Sequence, residues 1–135
     1  MPKQLEGKVA IVTGAAGGFG EGIARLFVAQ GAKVLIADLD GDRAASVAAS
    51  LGGPAKAVRC DVSDGDDVRA CVQACVQAFG APDIVVNNAG TTHRNQPLLN
   101  VDEATFDRIY AVNVKAIYLT AIHMVPHFRQ AGGGG

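Results

Sequence analysis

The chain has 135 residues, 49% of them hydrophobic and 19% charged, and a net charge of −1. This is the size and composition of a single globular domain. The balanced charge, with no basic run, excludes a protein built mainly to hold nucleic acid, whose phosphates demand clustered Lys and Arg.

The first residues, Met1 to Lys8, are polar, and the apolar run that follows is too short for a signal-peptide core. That run, Val9–Val12, reads as a buried strand. It leads into Thr13-Gly14-Ala15-Ala16-Gly17-Gly18-Phe19-Gly20. A helix is predicted over Gly20–Gln30, with Ile23, Leu26 and Phe27 on its buried face and Gly31 ending it. A glycine-rich turn between strand and helix lets the backbone come close to a phosphate. The helix then points free N–H groups and its positive dipole end at the same place. A nucleotide pyrophosphate site is therefore expected. The plainer alternative is a tight turn whose glycines serve packing.

Lys33–Asp38 is a second strand, ending in an acid at the distance from the glycine turn where a carboxylate binds an adenosine ribose 2′-OH. Asp40 is placed to cap a helix running to Leu51, which leaves Asp38 free for that task. No Lys or Arg lies in the glycine turn and Leu39 follows the acid, so NAD is preferred over NADP. Ala55–Cys60 is a short third strand. Asp64 to Phe79 forms the clearest helix, with Val68, Cys71, Val72, Cys75, Val76 and Phe79 on one stripe. The acids Asp64, Asp66 and Asp67 suit its N-terminus. Asp83–Asn87 is a fourth strand, followed by a polar stretch from Thr91 to Asn100. A long helix from Asp102 to about Met124, closed near Pro126, is apolar nearly all round and should be covered on two sides. Its apolar part is broken by Asn113, Lys115, Thr120 and His123, so no membrane span is expected.

Alternating strands and helices predict an α/β fold with a doubly wound parallel sheet, Rossmann-like, and a ligand beyond the strands' carboxyl ends. The cysteines Cys60, Cys71 and Cys75 are odd in number and follow no secretory signal, which points to reduced thiols and a cytoplasmic protein. Cys71 and Cys75 share helical spacing, as do His123 and His127. The cysteines sit in an apolar stripe and Pro126 separates the histidines, so no metal site is expected.

The glycine turn reads Thr-Gly-x-x-x-Gly-x-Gly, with Gly14, Gly18 and Gly20. With Asp38, Asp61-Val62, Asn87-Asn88-Ala89-Gly90 and Asn113 in that order, the chain resembles the short-chain dehydrogenases/reductases over about Leu5 to Gln130. The resemblance implies NAD bound by Gly14, Ala16, Gly18, Phe19, Gly20, Asp38, Leu39, Asp61, Val62, Asn88, Ala89 and Gly90, with Asp61 on the adenine amino group. It implies that Asn87 braces the sheet. Asn113 becomes the catalytic Asn, whose carbonyl at a helix distortion holds a water of the proton relay. An amide among apolar neighbours would also be costly unpaired.

An alcohol or ketone is the implied substrate, and a homo-oligomer built through the Asp102–Met124 helix the implied assembly. The family's Ser and Tyr-x-x-x-Lys are not among these residues. Tyr110 and Tyr118 are followed four positions on by Val114 and Ile122. The chain thus reads as a coenzyme-binding half, residues 1–131, with a glycine tail at 132–135, incomplete on its C-terminal side. Two alternatives stand beside the dehydrogenase. One is a nucleotide-binding fragment without catalysis that self-associates. The other is a different Rossmann-like binder, such as a methyltransferase.

Overall fold

In the computed structural model, which describes residues 2–133, the short runs rich in Val and Ile become strands. Residues 134 and 135 of the expected tail lie outside the described residues. The strands are β1 (Val9–Thr13), β2 (Lys33–Asp38), β3 (Ala55–Arg59) and β4 (Ile84–Val86). They form one parallel sheet of order β3-β2-β1-β4. Helix α1 (Gly18–Ala29) follows β1, α2 (Gly41–Leu51) follows β2, and α3 (Gly65–Phe79) follows β3. Beyond β4, a 3-10 turn (Leu98–Asn100) leads to α4 (Glu103–Tyr110), a π-helical segment (Ala111–Lys115) and α5 (Ala116–Gln130). The direction of winding reverses between β1 and β4, which is where an open α/β sheet forms its ligand crevice.

The period of two along each strand sorts the core into two layers. Val9 and Ile11 of β1, with Leu35 and Ala37 of β2, face α3 and α5, where they meet Val68, Cys71, Val72, Leu119 and Met124. Ala10, Val12, Val34 and Ile36 face the other way, onto Ala24 of α1 and Ala44, Val47 and Ala48 of α2. Both faces are covered, as the uninterrupted apolar strands require. Asp side chains begin three helices. Asp40 accepts from Arg43 N–H, Asp64 from Asp66 and Asp67 N–H, and Asp102 from Thr105 N–H.

Three expectations need correction. Leu26 is 59% exposed, because α1 lies on the sheet through its small residues Gly20 and Ala24, flanked by Ile23, Phe27 and Val28. Val76 of α3 likewise lies outside the buried stripe. Pro126 does not close the long helix, which runs on to Gln130. Proline removes one backbone hydrogen bond, but Met124 is fully buried and Phe128 packs against the same core, so burial on either side carries the helix across.

The long helix is also covered on one side only. Ala116, Leu119, Thr120 and Met124 face inward, while Phe106, Tyr110, Val114, Ile117, Tyr118 and Ile122 are exposed. By length and composition alone, Glu103–Gln130 is apolar enough to cross a membrane. Here its inner face packs on α3 as a layer of the domain.

Met124→Ala should lower stability by about 2–5 kcal/mol, read as a shifted urea midpoint of the full-length protein. Leu26→Ala, exposed, should change it by under about 0.5 kcal/mol.

Candidate functional site

The turn after β1 uses backbone conformations that side chains disfavour. Gly14 has φ +63° and Gly18 φ +56°, both in the left-handed region. A Cβ on Gly14 would lie 2.9 Å from Ala89 Cα. A Cβ on Gly20 would collide with the Gly14 carbonyl and the Asn88 amide. Gly14 and Gly18 therefore permit the turn, and Gly20 lets α1 rest on it. Gly17, the residue before α1, has no side chain to cap the helix, so the first N–H groups of α1 are left without a side-chain partner.

The exit of β4 is fastened to the same turn. Thr13 Oγ1 accepts the N–H groups of Asn88 and Ala89, each at 3.1 Å, and donates to the Val86 carbonyl at 3.3 Å. Asn88 Nδ2 donates to the carbonyls of Thr13 and Gly14 at 3.1 and 3.2 Å. The bracing expected of Asn87 thus falls to its neighbour. Asn87 Oδ1 accepts from Thr120 Oγ1 at 2.8 Å and ties the end of β4 to α5.

Asp38, at the end of β2, is held at the lip of the turn. Its Oδ2 accepts Ala16 N–H at 3.0 Å and its Oδ1 accepts Asp40 N–H at 2.9 Å. Each oxygen retains a lone pair for a further donor. Asp61 accepts from Ser63 Oγ at 2.6 Å and Ser63 N–H at 3.0 Å. These bonds hold its carboxyl below the ordinary carboxylate range.

Asn113 lies within the π-helical segment, a local helix distortion. Its amide pairs with one backbone unit across the cleft mouth: Oδ1 accepts Thr91 N–H and Nδ2 donates to the Thr91 carbonyl, each at 2.8 Å. Arg108 Nη2 donates to Thr91 Oγ1 at 3.2 Å.

Together these groups surround a cleft of about 600 Å³ at the carboxyl end of the sheet. Of the residues expected to hold a nucleotide, Gly14, Ala16, Gly18, Asp38, Leu39, Asp61, Val62, Asn88, Ala89 and Gly90 line it. Phe19 stands on the surface at 89% exposure, and Gly20 is buried beneath the turn. Asn113 reaches the cleft through Thr91, which lines it.

Sequence reasoning missed Cys60, Arg43 and Arg108 in the walls. Arg43 is the most informative, since its Nη2 lies 2.9 Å from where a Cβ on Gly17 would stand. The glycine turn holds no cation of its own, but α2 lends it one. The signal available in the sequence was Arg43 in the first turn of the helix that Asp40 caps.

The short chain dehydrogenase family model matches residues 8–135. The chain belongs to the short-chain dehydrogenase family. It is 51% identical over 133 residues to a 4-formylbenzenesulfonate dehydrogenase of Comamonas testosteroni, covering 96% of this chain and 53% of that one. It is 42% identical to a galactitol 2-dehydrogenase of Agrobacterium fabrum, over 96% of this chain and 51% of that one. Among solved structures, a 3-ketoacyl-(acyl-carrier-protein) reductase from Brucella melitensis, complexed with NADH, superposes with a TM-score of 0.93 at 48% identity. That match covers 96% of this chain and 53% of that one. The chain therefore spans about half the length of the relatives it matches. Membership in this dehydrogenase family removes the methyltransferase alternative.

Gly20→Ala should cost about 1–3 kcal/mol through overpacking, whereas Gly22→Ala, with open space beside it, should be neutral or stabilising by up to about 1 kcal/mol. Thermal denaturation of the two variants reads the contrast. Ser63→Ala should raise the Asp61 pKa toward the ordinary carboxylate value, seen by carboxyl carbon NMR. A depressed native pKa adds stability above the unfolded pKa and loses it as pH falls through the native one. Stability at neutral pH should therefore drop slightly in that variant, the carboxylate being mostly solvated.

Proposed function

We propose that the cleft binds NAD, and that the full-length protein moves hydride between NAD and an alcohol or carbonyl substrate. The observation that carries this reading is the cradle of Gly14, Gly18 and the open N-terminus of α1, with Asp38 anchored at its lip. The residues fit the cofactor. No Cβ obstructs the turn, the helix N-terminus offers N–H groups to a pyrophosphate, and Asp38 has lone pairs left for ribose hydroxyls. NAD supplies the hydride acceptor, or as NADH the donor, at its nicotinamide.

In this reading Asp38 accepts the ribose 2′-OH and repels a 2′-phosphate. Leu39 and the exposed Phe19 give apolar contact. Asp61 takes the adenine amino group and Val62 its ring edge. Asn88, Ala89 and Gly90 form the wall toward the nicotinamide. Asn113 holds Thr91 in place, and its carbonyl, at the helix distortion, holds the relay water. Arg43 acts against Asp38, since a guanidinium beside Gly17 attracts the 2′-phosphate that the carboxylate repels. The Tyr that exchanges the substrate proton, its Lys and the carbonyl-positioning Ser are assigned to the other half of the full-length protein. The buried free thiols suit a reducing compartment such as the cytoplasm.

A second reading concerns this chain taken alone, as a nucleotide binder without turnover that self-associates. The exposed apolar face of α4 and α5 favours it: Tyr110 is 55%, Ile117 51% and Tyr118 63% exposed. In the full-length protein we assign the same face to a homo-oligomer interface.

Titration with NADH and NADPH, followed by nicotinamide fluorescence, tests the cofactor assignment. NADH should bind more tightly, and tighter NADPH binding would overturn the role of Asp38. Asp38→Ala should reduce the NADH preference roughly tenfold, a loss on the order of 1.4 kcal/mol. Arg43→Ala should weaken NADPH more than NADH. Ile117→Glu should lower the sedimenting mass of the full-length protein, and an unchanged mass would argue against the interface.

A further inference from the structure

Thr91 is gripped at three of its atoms. Asn113 pairs with its N–H and its carbonyl, each at 2.8 Å. Arg108 Nη2 donates to its hydroxyl at 3.2 Å. Arg108 stands in α4 and Asn113 in the π-helical segment that follows, so one helix holds both the main chain and the side chain of this residue. Gly90 rests on the same amide, where a Cβ would stand 3.5 Å from Asn113 Oδ1.

Little else secures this part of the chain. Among the described residues, 89–96 make no hydrogen bond from main chain to main chain. The stretch is tied to the rest of the domain by the Thr13 hydroxyl at Ala89, and then by Asn113 and Arg108 at Thr91. Arg108 has no competing partner of opposite charge. The ion pairs join Arg25 to Glu21, Arg59 to Asp67 and Arg69 to Asp66, and none among the described residues takes Arg108. Its guanidinium is directed by the Thr91 hydroxyl and lines the cleft with Gly90, Thr91 and Val112.

We propose that Arg108 is a positioning residue for the nicotinamide end of the cleft, holding the Gly90–Thr91 wall in place through the Thr91 hydroxyl. This rests on the reading of the cleft as an NAD site with Gly90 toward the nicotinamide. The division of labour follows from geometry. The two hydrogen bonds to Asn113 fix a line through the Thr91 main chain, and the peptide can still swing about that line. A third contact on the side chain, away from the line, removes the swing. A charged donor makes that contact stronger than a neutral one would. A wall already in place costs no ordering when the ligand arrives.

The test uses the full-length protein and two ligands, NADH and adenosine diphosphate ribose, which lacks the nicotinamide. Arg108→Ala and Thr91→Val should each weaken NADH about fivefold, the scale of one hydrogen bond to a charged group partly open to water. The double variant should be no weaker than either alone, because both remove the same contact. Adenosine diphosphate ribose should lose less than about twofold, since it does not reach the wall. Thr91→Ser keeps the hydroxyl and should keep the NADH affinity that Thr91→Val loses. Hydrogen exchange, read by mass spectrometry, should quicken over residues 89–96 in Arg108→Ala and in Thr91→Val, with α3 unchanged. The proposal is overturned if the two ligands weaken alike, if neither weakens, if the two substitutions add, or if exchange over residues 89–96 stays as in the parent. Failure of the parent protein to bind either ligand would count against the cofactor assignment, and the exchange rates would still decide whether Arg108 holds the wall.

Discussion

Two turns far apart in sequence, at the ends of β1 and β4, share one small set of hydrogen-bonding groups. The Thr13 hydroxyl serves two N–H groups and one carbonyl of the β4 exit, and the Asn88 amide returns to the carbonyls of Thr13 and Gly14. The main-chain approach this requires leaves no space for a side chain at Gly14 or Gly20. Polar satisfaction and steric exclusion therefore impose the same geometry. A buried hydroxyl that lost its partners would remain desolvated, and a larger residue in the turn would separate the strands at the point where the sheet reverses its winding. The crevice exists because these two turns are locked together.

Charge is arranged around that lock without being part of it. Asp38 is fixed by backbone N–H groups from both the glycine turn and the loop after β2. Arg43 approaches the turn from α2, over a glycine. Asp61 is satisfied by Ser63 at the third strand's exit. Each loop thus contributes one polar group whose position is set by its own short contacts. The selectivity of such a site can shift by single substitutions without disturbing the sheet.

Most of this organisation was legible in the sequence because the pattern is local. Strands that alternate their contacts between two layers and helices capped by Asp announce themselves within a few residues. What escaped notice depended on tertiary contact. Leu26 has the spacing of a buried residue, yet α1 rests on Gly20 and Ala24 because small residues let the helix come closer. Pro126 is a sound stop signal, overruled by the burial of Met124 and Phe128 around it. Asn87 and Asn88 are adjacent and chemically identical, so nothing in the chain says which one faces the glycine turn. Arg43 belongs to the site only because α2 folds back beside Gly17. The expectation that the long helix is covered on two sides came from composition, which registers apolar surface and is silent on what meets it.

The π-helical segment between α4 and α5 has a geometric meaning of its own. A π turn holds about one residue more than an α turn, and each residue of an α-helix advances the side-chain direction by about 100°. Ala111–Lys115 therefore works as an angular spacer. It sets the phase between the part of the helix that holds Thr91 through Asn113 and the part that sends Leu119, Thr120 and Met124 into the core. Wound instead as a regular α-helix, the same residues would leave its two ends facing directions about 100° apart from the present ones. The irregularity keeps two unrelated contacts in register along one rod.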